Sequence, residues 1–225
     1  MGQNPAVMDM YVNSLAYDVG HVYARYLGGS AIGVAGGIAC LDSKGRGCSA
    51  GTGGYGDSFV NVIGQEVGHQ LSGGHTWNRC NGTGGRNGVV AYSPGSGSTI
   101  MSYAGACGPD NVQGYSDLYY HSGSIDEIST FMEFTATCPT TSGSMNHKPE
   151  VIVPYSDNFF IPISTPFELD GSATDEDGDA LVYAWEEIDL GLETPLSTPV
   201  GSSPLFRVWP ATASTNRYFP RLSTI

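Results

Sequence analysis

Four side chains in the stretch GQEVGHQLSGGHTW, residues 64–77, have the types and spacing to do chemistry: Gln65, Glu66, His69 and His75. On a helix, Gln65 and His69 project from one face about a turn apart, so the pair can hold one metal ion. Glu66, beside the first of them, can reach a metal-bound water without itself being a ligand. Gly73 and Gly74 then turn the chain and bring His75 round as a third donor. Zinc with three protein donors and an open fourth position is of the catalytic type, because the vacancy holds a water whose pKa falls to about 7. Glu66 would take the proton from that water and pass it to a leaving amine. Taken alone, one Glu and one His at this spacing are unremarkable. The Gly-Gly-His continuation sets the stretch apart from an ordinary helix.

These side chains need elements to position them. Apolar residues at Val60, Ile63, Val67 and Leu71 fall on one helical face, which predicts a helix over 57–71, capped by Asp57 or Ser58 and ended by Gly73 and Gly74. Ahead of it, MDMYVNSLAYDVGHVYARYL reads as a helix end running into a strand at about 18–23, and SAIGVAGGIACL as an extended segment whose glycines permit close backbone approach. A further helix is predicted over 125–134, with Ser124 and Glu127 forming a capping box.

With these residues in place, the segment resembles the metzincin zinc-peptidase signature H-E-x-x-H-x-x-G-x-x-H followed by a Met-turn. Glu66, His69 and His75 match by position, and STIMSY, residues 98–103, resembles the Met-turn with Met101 beneath the metal. YDVGHVYARYLGGSAIGVAGGIAC is similar to the strand, loop and edge strand of reprolysin-like and pappalysin-like members, and IDEISTFMEF to their C-terminal helix. The resemblance covers about residues 10–138 and implies a zinc-dependent endopeptidase acting on protein or peptide substrates. Two positions depart from it: Gln65 stands in place of the first histidine, and Ser72 in place of the turn glycine. An amide oxygen is a weaker zinc ligand than an imidazole nitrogen. An active peptidase, a pseudopeptidase kept as a binding module and a structural protein therefore all stay open. The resemblance further implies that an extended substrate pairs with the edge strand at Gly33, Val34, Ala35, Gly36 and Gly37. It implies for Tyr103 a role as zinc ligand or as hydrogen-bond donor to the tetrahedral intermediate; a buried packing tyrosine is the alternative. His21 and His121 bear no spacing relation to the motif and read as structural or surface residues, and His147 lies in a linker.

The rest of the chain limits the partners. Acidic residues outnumber basic ones 22 to 9, for a formal charge of −13, so a phosphate backbone would be repelled. No apolar run is long enough to span a membrane. Cys40, Cys48, Cys80, Cys107 and Cys138 contain no CxxC pair and read as a disulfide set with one thiol over. Cys80 with Cys107, either of them with Cys138, and Cys40 with Cys48 are the pairings considered. The first residues carry no signal peptide, so secretion would need a leader upstream.

The composition changes near residue 140. The expectation is an α+β chain, with a metzincin-like domain at 1–138, a linker at 139–149 and a β module at 150–225. The runs VIVPY, FFIPI, FELDG, LVYAWEEI and LFRVW have sandwich spacing. They resemble PKD and other immunoglobulin-like modules, with Trp185 in the core. Asp175, Asp177 and Asp179 around Gly178 suit Ca²⁺, or form an acidic turn without metal. The chain reads as a fragment, short of upper-sheet strands at its start and of a closed sandwich at its end.

Overall fold

The computed structural model describes residues 3–25, 32–51, 56–81, 84–140, 142–155 and 159–222. Part of the segment likened to a strand, loop and edge strand, residues 26–31, lies outside the described residues. Two compact units divide the chain: Met1–Thr140 with Glu186–Val208, and Thr141–Trp185 with Trp209–Ile225. The division near 140 coincides with the change in composition. Glu186–Val208 belongs to the first unit.

In the first unit, α1 (Asn4–Val12) has Pro5 in its first turn, which lacks only an N–H that the turn would leave unpaired anyway. A short 3₁₀ turn, Ser14–Ala16, leads to β1 (His21–Arg25). β2 (Gly33–Ala35) and β3 (Gly47–Gly51) complete a three-stranded sheet in the order β1-β3-β2. β3 runs parallel to β1 and antiparallel to β2, which leaves β2 at the edge. Gly36 and Gly37 lie beyond its end. Gly36 donates to Arg46 and Ile32 accepts from Ala50, so β2 bonds to β3 through its even-numbered residues. The backbone groups of Gly33 and Ala35 face the open edge.

α2 (Asp57–Gln70) packs on β2 and β3. The helix forms where its sequence predicts, but its buried face differs. Phe59, Val62, Glu66, Gly68 and Gln70 are inside, whereas Val60 is 49% exposed. Two of the inward residues are polar, so apolar periodicity finds the helix and misplaces its inner stripe. The N-cap is Gly56, without a side-chain cap, rather than Asp57 or Ser58. Fully buried Gln70 donates through Nε2 to the Gly20 and Lys44 carbonyls, both at 3.1 Å, and its Oε1 lies 2.6 Å from His21 Nδ1. His21 Nε2 meets Ser49 Oγ at 2.9 Å. The helix end is thereby tied to β1 and β3. A Cβ at Gly47 would overlap both Gln70 and His21.

α3 (Ser122–Phe134) begins three residues earlier than predicted. His121 caps it, Nδ1 accepting from Gly123 at 3.1 Å, and no Ser124–Glu127 capping box forms. Buried His121 stacks on Tyr92 at 5.3 Å. Cys80 pairs with Cys107, one of the pairings considered. Cys40 pairs with Cys138, not with Cys48, whose place in β3 opposite Val22 and Val34 keeps it in the sheet as a free thiol. Tyr120, donating to the Gly64 carbonyl at 2.6 Å, supports the middle of α2.

The second unit holds two small antiparallel sheets. β4 (Glu150–Ile152) pairs with β6 (Ser172–Thr174), and β5 (Phe167–Leu169) with β7 (Arg217–Phe219). Tyr183 bridges Thr212, and Trp185 Nε1 donates to the Thr215 carbonyl at 2.9 Å. The run FFIPI forms no strand in its described part, nor does LFRVW. Among the described residues, no helix is long and apolar enough to cross a membrane.

Candidate metal centre

One helix and the bend after it bring His69 and His75 together. The last turn of α2 presents His69, and the chain after it reverses in the helix-ending pattern that glycine usually allows. Ser72 takes φ +72°, and Gly73 donates back to the Gly68 carbonyl at 2.9 Å. This is the position where the resembling signature has glycine, and a left-handed conformation is what a glycine there would supply. His69 Nδ1 lies 2.8 Å from the Gly73 carbonyl, so Nδ1 carries the proton and Nε2 keeps its lone pair. That Nε2 faces His75 Nε2 at 2.9 Å, with the rings nearly perpendicular. Two nitrogens on a tetrahedral zinc stand about 3.3 Å apart, from bonds of about 2.0–2.1 Å. The imidazole pair therefore fits such an ion with a small outward adjustment. Gln65, half-buried, lies one helical turn before His69 on the same side of α2.

Glu66 is held at the sheet edge. The outward-facing Ala35 N–H donates to its carboxylate, and burial pushes its pKa up to about 7. Gly33 makes room for it, since a Cβ there would overlap the carboxylate. Burial, followed by the charge of His69, pushes His75 down to about 4, and burial lowers His69 as well. Both imidazoles are therefore neutral near pH 7, the form that ligates metals.

Met101 is fully buried under this array. A Cβ at Gly68 would come within 2.6 Å of its sulfur, so the bare glycine lets the turn of 98–103 approach the helix beneath His69. Thr76 donates to the Met101 carbonyl at 2.9 Å, which locks the residue after His75 to that turn. Tyr103 packs edge-on against His75 at 4.5 Å and stacks on Trp77 at 5.6 Å, over the Cys80–Cys107 cluster. Burial, with the Glu66 charge adding to it, pushes the Tyr103 phenol up.

A helix-borne acid and two converging imidazoles lie over a buried methionine, and a family model described as metallo-peptidase family M12B, reprolysin-like, matches residues 4–129. The chain belongs to that family. This reprolysin-like metallopeptidase thus has protein or peptide substrates, and the matched span contains α2, the bend and the Met101 turn. No curated protein and no solved structure matches it.

Two residues of the centre were not picked out as site residues by spacing. Gln70, adjacent to His69, was missed because it anchors inward. Its signal is a polar residue one turn after Glu66, at a position the helix must bury. Glu127, read as part of a capping box, instead accepts from the Gly74 N–H at 3.1 Å. In the second unit, Asp175, Asp177 and Asp179 hold carboxylate oxygens within 4.8 Å of one another. Asp177 is taken up by His147, through its N–H at 2.6 Å and Nδ1 at 3.0 Å.

Proposed function

We propose that this reprolysin-like chain is a secreted zinc-dependent endopeptidase with Glu66 as general base and with His69, His75 and Gln65 as its metal donors. The observation that carries the reading is the pair of Nε2 atoms facing each other at 2.9 Å beside a buried carboxylate. Zinc, when bound, supplies Lewis acidity sufficient to bring a water's pKa to about 7. Glu66 removes a proton at its carboxylate and returns it to the leaving nitrogen, a double task suited to a group pushed up to about 7. The substrate lies extended along β2 and bonds to the outward groups of Gly33 and the outward carbonyl of Ala35. Tyr103, beside His75, donates to the oxyanion of the transition state. Secretion is supported by two disulfides, which persist in oxidising compartments. The second unit serves as a PKD- or Ig-like spacer or adhesion module, with Ca²⁺ at Asp175, Asp177 and Asp179 as its expected ion.

Gln65 favours a second reading, a pseudopeptidase that keeps the cleft and binds peptides without cutting them, because an amide is a poor zinc ligand. Cleavage of a denatured protein substrate separates the two. Activity in the parent that disappears in Glu66→Ala supports the endopeptidase. Activity only after Gln65→His supports the pseudopeptidase, and none in either form ends the catalytic account.

A further inference from the structure

We propose that Glu127 of α3 is a positioning residue for the metal centre, fixing through the Gly74 amide the bend that aims His69 and His75. The inference rests on the zinc reading above and adds a residue 52 positions from His75 along the chain.

The bend between the two imidazoles is only five residues long, and three backbone groups in it, with one just after it, have fixed partners. The Gly73 N–H closes the helix end on Gly68, and the Gly73 carbonyl orients the His69 ring. The Thr76 N–H is fixed to the Met101 turn. The Gly74 N–H, directly before His75, is taken by Glu127 Oε2 at 3.1 Å. The other Glu127 oxygen lies 3.4 Å from where a Gly74 Cβ would sit, so the carboxylate lies close against this glycine. Ile128, the next residue of α3, stands 3.4 Å from the place of a Gly73 Cβ, so the same helical turn abuts both glycines.

Glycines have the widest backbone freedom, so two in succession would let the His75 ring wander unless something external holds them. Glu127 supplies that hold. It is half-buried, and a charged acceptor bonds an amide about twice as strongly as a neutral one. Residues that orient ligands from outside the coordination shell typically govern metal affinity by about 10–100-fold.

The test is the zinc dissociation constant of the full chain, measured by competition with a chelating dye well below the melting temperature, together with the melting temperature of each metal-free protein. Glu127→Ala should weaken zinc binding by about tenfold. Glu127→Gln, which keeps an acceptor oxygen without the charge, should fall between the parent and Ala. Should Glu127→Ala fail to fold without metal, Glu127→Leu replaces it, with the same expectation. A lowered melting temperature with an unchanged zinc constant would reduce Glu127 to a structural contact and overturn the proposal, as would a Gln variant as weak as Ala. If the parent binds too weakly to measure, the same variants are compared in Gln65→His. No zinc binding even there would overturn the zinc reading and this inference together, whereas measurable binding indifferent to Glu127 would overturn this inference alone.

Discussion

Glu66 carries a conflict that a metal would resolve. Its carboxylate is withdrawn from water, backed by α2 and edged by β2, and one backbone N–H does not make up for the lost hydration. Without metal, its pKa of about 7 against an ordinary 4.5 means that the native state keeps a proton the unfolded chain has released between those values. Stability then falls as pH rises through that window. Comparison with Glu66→Gln isolates this contribution, because the histidines, which oppose it on the acid side, are common to both proteins. In the presence of a chelator, the difference in melting temperature should move in favour of the variant from pH 4.5 to pH 8. A difference that stays flat with pH would mean that Glu66 is better solvated than its position implies. The helical spacing of the candidate donors was legible in sequence because spacing on a helix is a local property. What happens at Gln65 was not, since a residue type says which atom is offered but not whether a metal accepts it.

At the scale of elements, α2 is held by polar anchors as much as by apolar packing. Gln70 spends its whole amide on Gly20, Lys44 and His21, and His21 passes the connection to Ser49 in β3. The two carbonyls keep other partners, Gly47 and Gly20, so the main loss in Gln70→Ala is the support of His21 and the volume of the side chain. Destabilisation of about 3 kcal/mol is expected by chemical denaturation, combining an unmet buried group with a cavity. A loss below about 0.5 kcal/mol, the range of surface substitutions, would show that the network is not what fixes the helix. This anchoring explains why periodicity located the helix and yet chose Val60 for its inner face. Hydrophobic spacing cannot see an inward Glu66 or Gln70. The predicted capping box failed for a related reason: Glu127 finds a better use across the fold, on a peptide far from it in sequence.

At the scale of the molecule, the first unit does not end with α3. Residues of Glu186–Val208 return to it: Asn78 donates to the Leu192 carbonyl at 3.0 Å and accepts from Thr194 at 3.2 Å, and the Asp110 carboxylate accepts from Leu196. Ser98 Oγ reaches the Val208 carbonyl at 3.4 Å, beside the Met101 turn, and Glu186 accepts from Ser122 at the start of α3. Buried Asn78 follows Trp77 directly, so the strap bears on the segment after His75. Asn78→Ala should therefore lower the melting temperature by several degrees, at a cost of about 2 kcal/mol; an unchanged melting temperature would show the strap to be dispensable. No local pattern could reveal this pairing, because its partners are more than a hundred residues apart, as the ends of the Cys40–Cys138 bridge nearly are. The account as a whole stands on His69 and His75 sharing one ion. Its most direct test is zinc content and affinity in the parent, His69→Ala and His75→Ala, using Gln65→His as the background if the parent binds weakly. One zinc per chain, lost on replacing either histidine, is the predicted result; zinc retained at full affinity after either replacement, or no zinc in any form, would contradict it.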